Sequence, residues 1–261
     1  MIRTAYVGFT VNAPAPLLVC GMLRLPSTGN GRSEGAAVVI CHGSDGVDGR
    51  GEFYAAALND AGIATLEIDM WAARGTSRGA AARPGSPIDT LPDAFGALAF
   101  LADQPEVDGD RVGVLGFSWG GVVSLLSTRS DCATAYGGKR RFAAHAANYP
   151  VCWAFHKIPA FSLEARTDAP ILIQTGDADT YDAPGAGQRL IDVLRQQAGG
   201  GSAQGVAYAD ATHGFDRDLP TQVINDPFAH EGAGGPVTMA YHRVAARAAR
   251  AAVVSFFSEA L

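Results

Sequence analysis

Ser118 lies in the pattern Gly116-Phe-Ser-Trp-Gly120, directly after an apolar run at residues 111–115. This arrangement predicts a buried strand that turns sharply into a helix, with the serine hydroxyl at the turn. Glycine fits positions 116 and 120 because so tight a turn leaves no room for side chains two positions from the serine. The predicted helix over about residues 119–127 begins at the serine, so its first N–H groups favour negative charge there. We predict a nucleophilic serine, although an ordinary glycine-rich turn would also fit this pattern.

A serine hydroxyl needs a general base, which is most often a histidine oriented by a carboxylate. In a strand–turn–helix site of this kind the chain order is serine, acid, histidine. Five of the six histidines fit this order poorly, because they precede any suitable acid or follow the last predicted strand: His42, His145, His156, His230 and His242. His213 follows that strand closely, in a loop at the expected carboxyl edge of the sheet. We therefore predict that His213 is the base rather than a structural histidine.

Two carboxylates compete for the acid position. The predicted strand at residues 171–175 ends in Gly176-Asp-Ala-Asp179. Asp177 and Asp179 leave the strand with the same parity, so alternation does not separate them. Asp179 lies further out over the end of the sheet, while Asp177 could cap the turn. The residues favour Asp179 and leave Asp177 open.

Hydrolysis of an acyl group also needs two backbone amides aimed at the developing oxyanion. The residue after the nucleophile, Trp119, supplies one of them in this architecture. The other is expected from the loop His42-Gly-Ser-Asp-Gly46, which follows the predicted strand at 36–41. We predict Ser44 as the donor, with Gly43 as the second choice. Taken alone, this glycine-rich loop would equally fit an ordinary turn.

The elements that must position these residues alternate along the chain. Apolar runs predict strands over 4–11, 17–25, 36–41, 63–70, 111–117, 142–149, 171–175 and 205–209. Helical spacing predicts helices over 53–61, 91–103, 119–127, 187–197 and 238–261. The first two strands are too close in sequence for a crossover helix, which predicts an antiparallel pair. The remaining alternation predicts an α/β fold, with a mostly parallel sheet and helices on both faces.

Two longer irregular segments, 71–90 and 151–169, begin where predicted strands end. Loops of this length in a compact domain are often functional. In open α/β sheets, ligands bind at the carboxyl ends of the strands. We therefore expect both segments to cover the active site.

Length and charge restrict the class of protein. The 261 residues, 48% of them hydrophobic, suffice for one α/β domain over residues 1–261. The net charge of −6 and the lack of a basic run argue against nucleic acid and membrane partners, and favour a small-molecule substrate. The N-terminus lacks a secretory pattern and no apolar run reaches 18 residues. The four cysteines lack metal-binding spacing. They are expected to be reduced thiols of a cytoplasmic protein.

Taken in chain order, the His42–Gly46 loop, the Ser118 turn, the Gly176–Asp179 turn and His213 resemble the dienelactone hydrolase family of α/β-hydrolases. The resemblance spans about residues 17–257. It implies that the acid is the last aspartate of a Gly-x-x-Asp turn, which is Asp179. The chain departs from dienelactone hydrolase itself in having serine where that enzyme has cysteine, and His-Gly where it has Gln-Glu. A serine nucleophile implies a more ordinary esterase.

The resemblance also implies substrate-binding residues. Arg217, four residues after the histidine, and Arg74 correspond to family arginines that hold a substrate carboxylate, although the segment before Arg74 is one residue longer here. Alternatively, Arg217 pairs with its neighbouring aspartates and Arg74 is solvated. Trp71 and Trp153 are expected as apolar pocket walls, although Trp153 would equally fit a core position under its loop.

Together these features predict a serine hydrolase that cleaves small-molecule carboxylic esters or lactones through an acyl-enzyme, with no metal or cofactor. An acyltransferase or a peptidase with the same three groups is the alternative enzyme. A non-catalytic ligand-binding protein on this fold is the alternative from another class. The sequence makes no prediction of oligomeric state.

Overall fold

A twisted eight-stranded sheet forms the centre of the computed structural model, which describes residues 1–12, 15–26, 35–76, 83–197 and 202–261. Its strand order is β1-β2-β4-β3-β5-β6-β7-β8. The strands are β1 (Ile2–Asn12), β2 (Pro16–Pro26), β3 (Gly35–Cys41), β4 (Ala64–Asp69), β5 (Val107–Phe117), β6 (Ala144–Asn148), β7 (Ile171–Gly176) and β8 (Ala203–Tyr208). A separate hairpin follows them, formed by β9 (Gln222–Asp226) and β10 (Gly235–Met239).

The helices connect these strands in alternation. They are α1 (Gly49–Asp60), α2 (Leu91–Ala102), α3 (Trp119–Leu126), α4 (Ser130–Gly137), α5 (Ala154–Lys157), α6 (Ala186–Gln196), α7 (Ala229–Gly232) and α8 (Arg243–Ala260). Both α5 and α7 are single turns. Short 3-10 turns lie at Ala72–Arg74, Pro87–Thr90 and Pro159–Phe161, inside the two segments predicted to be irregular.

The sheet is mostly parallel and is covered on both faces. Strands β3 to β8 run parallel, whereas β2 pairs antiparallel with both β1 and β4. Successive residues of β3 alternate between two cores, with Val39 facing the side of α2, α3 and α6, and Val38 facing the side of α1 and α8. The predicted α/β class and the antiparallel first pair are confirmed.

The predicted start of the last helix is wrong. The last helix was expected from residue 238, but Thr238 pairs with Val223 in the β9–β10 hairpin and α8 begins only at Arg243. The side chain of His242 accepts the N–H of Ala245 at 3.1 Å and so caps that helix. The apolar residues of β10 happened to continue the helical spacing of α8, which hid the strand.

Among the described residues, no helix is long and apolar enough to cross a membrane.

Candidate active site

The residues singled out from the sequence meet at one edge of the sheet. Ser44 follows β3, Ser118 follows β5, Asp179 follows β7 and His213 follows β8. These four strands run parallel, so their carboxyl ends lie at the same edge. The site therefore forms at the edge of the sheet where the loops after these four strands lie side by side.

Ser118 joins β5 to α3 in a strained backbone conformation, with φ 50° and ψ −108°. Its N–H donates to the Asn148 carbonyl at 2.9 Å, and its own carbonyl accepts the N–H of Val122 at 2.9 Å. A Cβ at Gly116 would lie 1.8 Å from the Gly120 carbonyl oxygen, and one at Gly120 would lie 2.1 Å from the Cys41 carbonyl oxygen. The predicted need for glycine at both positions is confirmed.

A continuous chain of hydrogen bonds runs from Ser118 through His213 to Asp179. The serine Oγ and the histidine Nε2 are 2.8 Å apart, and the histidine Nδ1 lies 2.8 Å from Asp179 Oδ2. The imidazole is 2% exposed and lies against the rings of Tyr149 and Tyr181. With Nδ1 protonated toward the carboxylate, Nε2 is free to accept the serine proton.

The two aspartates that compete for the acid position differ in burial and in their hydrogen-bond partners. Asp179 is buried, and its second oxygen accepts the N–H of Tyr181 at 2.9 Å, which fixes the carboxylate toward the histidine. Asp177 is exposed and accepts the N–H of Asp210 at 2.7 Å. Asp177 therefore ties the acid turn to the loop that carries His213, while Asp179 contacts the imidazole itself.

Gly176 lets the same two loops pack backbone to backbone. A Cβ on this residue would lie 2.0 Å from the carbonyl oxygen of Ala211, two residues before His213. The Ala178 N–H also donates to that carbonyl, at 3.1 Å. The turn after β7 and the loop after β8 are therefore in direct contact.

The loop after β3 lies beside Ser118 as expected. In the part of the chain that the structure describes, the backbone N–H groups of Ser44 and Trp119 donate to no other protein group. The Ser44 carbonyl accepts the indole N–H of Trp71 at 3.0 Å, which holds the peptide that follows Ser44 in place. Both amides are thus available near the serine hydroxyl.

His42 supports this loop rather than taking part in proton transfer. Its Nδ1 lies 2.8 Å from the Gly43 carbonyl, and its Nε2 accepts the Met70 N–H at 3.0 Å. Burial lowers the pKa of His42 to about 4, so the ring is neutral at physiological pH. His42 also precedes Ser118 in the chain, which does not fit the order serine, acid, histidine.

A buried polar cluster supports the histidine loop from below. Asp216 accepts hydrogen bonds from the hydroxyls of Tyr54 and Tyr149 and from the side-chain amide of Asn148. Burial and the nearby Asp216 carboxylate raise the pKa of both tyrosines well above the usual range, so they remain donors. The loop with His213 is thereby fixed to β6 and α1.

Arg83 is a site residue that the sequence analysis missed. Its guanidinium makes two hydrogen bonds to Asp226, at 3.0 and 3.1 Å, and a third to the Ser44 hydroxyl at 2.9 Å. It lies between the rings of Trp119 and Phe228, and both members of the ion pair are buried. Burial would raise the pKa of Asp226, but the hydrogen bonds from Arg83 outweigh it and lower that pKa. Arg83 and Asp226 are 143 positions apart, so no local pattern could have linked them.

The two arginines implied by the resemblance have other partners. Arg74 pairs with the buried Asp93 at 2.6 and 3.0 Å, and also donates to two backbone carbonyls. Arg217 pairs with Asp45 at 2.7 Å and lies 3.4 Å from Asp48, rather than with its neighbours in sequence. Neither arginine lines the cavities next to Ser118.

The tryptophans expected as pocket walls lie one layer behind the cavity. Trp71 packs on Trp119 and donates to Ser44. Trp153 packs on Phe228 and donates to its carbonyl at 3.1 Å. Both are buried core residues. For Trp153 the sequence left this alternative open, whereas Trp71 was expected as a pocket wall and lies behind it.

The chain matches the dienelactone hydrolase family over residues 31–261. The chain belongs to this family. Together with the parallel sheet, this establishes the α/β-hydrolase fold, and it supports a hydrolase. No curated protein matches the chain in sequence.

Solved structures with the same fold cover almost the whole chain. A dienelactone hydrolase-like promiscuous phosphotriesterase from metagenomic libraries is 23% identical, with a TM-score of 0.70 over 99% of this chain and 98% of that one. Dienelactone hydrolase from Anabaena variabilis is 19% identical, with a TM-score of 0.60 over 100% and 99%. The carboxylesterase Cest-2923 from Lactobacillus plantarum is 16% identical, with a TM-score of 0.64 over 98% of each chain. At these identities the likeness concerns the fold alone.

Proposed function

We propose that this protein is a serine hydrolase that cleaves carboxylic esters or lactones of small molecules through an acyl-enzyme. The observation that carries the proposal is the unbroken hydrogen-bond chain Ser118–His213–Asp179 on a strained strand–helix turn. Membership of the dienelactone hydrolase family supports it.

In the first step the Ser118 oxygen attacks the substrate carbonyl carbon while His213 Nε2 takes the serine proton. The N–H groups of Ser44 and Trp119 stabilise the resulting oxyanion. The carbon–oxygen bond to the leaving group then breaks, and the imidazolium returns the proton to the departing alkoxide. Asp179 remains ionised throughout and stabilises the imidazolium.

In the second step water attacks the acyl-enzyme. His213 accepts one proton from the water, and the oxyanion forms again at the same two amides. Collapse of this intermediate breaks the bond to Ser118, and the imidazolium returns the proton to the serine oxygen. The products are the carboxylic acid and the free enzyme.

Hydrolysis of p-nitrophenyl butyrate by the wild type and by Ser118→Ala tests this function. We expect the variant to lose activity on the order of 10⁶-fold in kcat, because the nucleophile is gone while the fold is kept. An alkyl fluorophosphonate should label the wild type once, on the peptide that carries Ser118, as read by mass spectrometry. Retained activity in Ser118→Ala, or a label on another residue, would refute the proposal.

A further inference from the structure

Two cavities of different chemistry meet at Ser118. They share three wall residues: Ser44, Ser118 and Tyr181. The two cavities are similar in size. A substrate whose carbonyl lies at the serine hydroxyl would therefore extend into both.

The position of His213 determines which part of an ester enters which cavity. Its Nε2 must reach the oxygen of the leaving alcohol, because it delivers the proton to that oxygen. His213 lines the second cavity and is absent from the described wall of the first. The alcohol part therefore belongs to the second cavity, and the acyl part to the first.

The acyl cavity is apolar. Among the described residues its hydrophobic wall is formed by Pro87, Trp119, Val122, Val151, Phe161 and Phe228. Arg83 is the one charged residue in the described part of this wall, and Asp226 already neutralises it through two hydrogen bonds. An acyl group with its own carboxylate would have to compete with Asp226 for that guanidinium. The cavity thus favours an uncharged, apolar acyl group.

The alcohol cavity is polar, and its described wall exposes the carboxylate of Asp45. Its described wall holds three charged residues, Asp45, Arg50 and Asp226, next to the imidazole of His213. Arg50 and Asp226 are almost fully buried and are held by Asp48 and Arg83, respectively. The Asp45 side chain is 29% exposed, and one of its oxygens binds Arg217 at 2.7 Å. Because Arg217 balances its charge, the exposed lone pairs of Asp45 suit a hydroxyl donor better than a cation.

We infer that the substrates are esters of a small apolar carboxylic acid with an alcohol that carries further hydroxyl groups, such as a polyol or a sugar. This inference rests on the proposed function and specifies its substrate. Asp45 is the specificity-determining residue on the alcohol side, and Phe161 is one on the acyl side.

The alcohol side is tested with two esters that share one acid and a three-carbon alcohol, glyceryl 1-monobutyrate and n-propyl butyrate. The value of kcat/KM reports acylation, the step in which the alcohol leaves. We expect the glyceryl ester to be preferred about tenfold or more, since a hydrogen bond to a charged group contributes on that scale. Asp45→Asn should lower this preference severalfold, because a neutral amide oxygen accepts a weaker hydrogen bond than a carboxylate. Comparing the two ratios cancels the intrinsic reactivity of the esters.

Asp218→Asn is the matched control for the alcohol side, because Asp218 is an exposed aspartate next to Arg217 and does not line the alcohol cavity. This variant should keep the preference for the glyceryl ester. An equal kcat/KM for both esters, or a preference that Asp45→Asn leaves unchanged, would overturn the inference. A higher kcat/KM for butyrylcholine than for the glyceryl ester would also overturn it, since it would indicate a cation site.

The acyl side is tested with p-nitrophenyl esters of increasing chain length. We expect kcat/KM to rise about fourfold per added methylene until the cavity is filled, the factor expected for burying one methylene. Phe161→Ala should move the optimum to longer chains. Phe256→Ala removes an equally buried phenylalanine from the opposite face of the sheet and should leave the optimum unchanged.

A p-nitrophenyl hemisuccinate that is cleaved faster than the butyrate would overturn the apolar acyl assignment.

These outcomes are distinct from failure of the proposed function. If Ser118 forms no acyl-enzyme with any ester, the hydrolase itself is refuted. If acyl-enzyme forms but neither preference is seen, only the assignment of the two cavities fails.

Discussion

Asp177 and Asp179 lie two residues apart on one turn and contact different groups. Asp179 is buried against the imidazole of His213, whereas Asp177 is exposed and accepts the backbone N–H of Asp210. A carboxylate next to the imidazole fixes its tautomer and stabilises its positive charge. A carboxylate on a backbone N–H stabilises only the loop. The same substitution at the two positions therefore separates catalysis from loop support.

We expect Asp179→Asn to lower kcat on the order of 10⁴-fold, because an amide can hold the imidazole in the wrong tautomer. Asp177→Asn should stay within a few-fold of the wild type, since its side-chain oxygen still accepts the Asp210 N–H. Steady-state hydrolysis of p-nitrophenyl butyrate measures both. A large loss for Asp177→Asn together with a small loss for Asp179→Asn would reverse the assignment.

At the level of elements, the sixth strand carries another buried histidine. His145 on β6 is fully buried, with its Nδ1 3.0 Å from the Ser124 carbonyl and 3.1 Å from the Ser127 hydroxyl of the segment at α3. Burial lowers the pKa of His145 to about 4. The folded state thus disfavours the imidazolium, whereas the unfolded chain binds a proton near pH 6.5.

This difference predicts how stability depends on pH. The contribution of the neutral His145 is complete above about pH 6.5 and is lost as the pH falls toward 4, by roughly 3 kcal/mol in total. We expect the stability advantage of the wild type over His145→Asn to shrink as the pH is lowered. Urea unfolding at pH 7.5, 5.5 and 4.5 measures it.

The exposed His156, replaced by Asn in the same way, controls for the general effect of losing an imidazole. A wild-type advantage over His145→Asn that is constant from pH 7.5 to 4.5 would contradict the linkage.

The buried parallel strands and the turns at their ends could be predicted from the sequence. Each such strand is a short apolar run, and the glycines at its end mark the backbone contacts that the structure shows at Gly116, Gly120 and Gly176. The β9–β10 hairpin and α4 were missed for a common reason. The β9 strand buries little, and α4 buries only Ala133, so neither carries a periodic apolar signal.

The two cavity chemistries could not be predicted either, because their walls combine distant segments. Arg83 lies in an irregular stretch, and its partner Asp226 lies at the end of the missed hairpin. Pairing across such a distance depends on the assembled fold, and no residue spacing reports it. Arg74 and Arg217, the arginines implied by the family resemblance, pair instead with Asp93 and Asp45. These pairs also join residues that are not neighbours in the sequence.

At the scale of the whole molecule, the Arg83–Asp226 ion pair joins the segment before α2 to the hairpin after β8. Both side chains are more than nine-tenths buried. The hairpin region also contacts the acid turn, where the His230 and Glu231 N–H groups donate to the Thr180 and Tyr181 carbonyls at 3.0 Å. Segments far apart in the chain thus converge over Ser118.

We predict that a double-mutant cycle will show strong coupling between Arg83 and Asp226. Arg83→Ala or Asp226→Ala alone leaves a buried charge without its partner, at a cost of about 3 kcal/mol or more in unfolding free energy. The double variant should lose clearly less than the sum of the two. The exposed pair Arg140–Asp103 is the matched control, with an expected coupling below about 1 kcal/mol. Denaturant unfolding measures all variants, and equal coupling in both pairs would count against the bridging role.

The contact between Gly176 and the Ala211 carbonyl has a consequence for how this protein can change over evolutionary time. The acid turn and the base loop are in direct backbone contact, so they move together. The distance between Asp179 and His213 therefore depends little on the surrounding segments. Apart from Tyr181 and His213, the described cavity walls come from other segments, including Phe161, Phe228 and Met239. Mutations in those walls can therefore exchange one substrate for another while proton transfer stays intact. The residues proposed to transfer the proton can thus stay the same while the preference for acyl and alcohol groups changes.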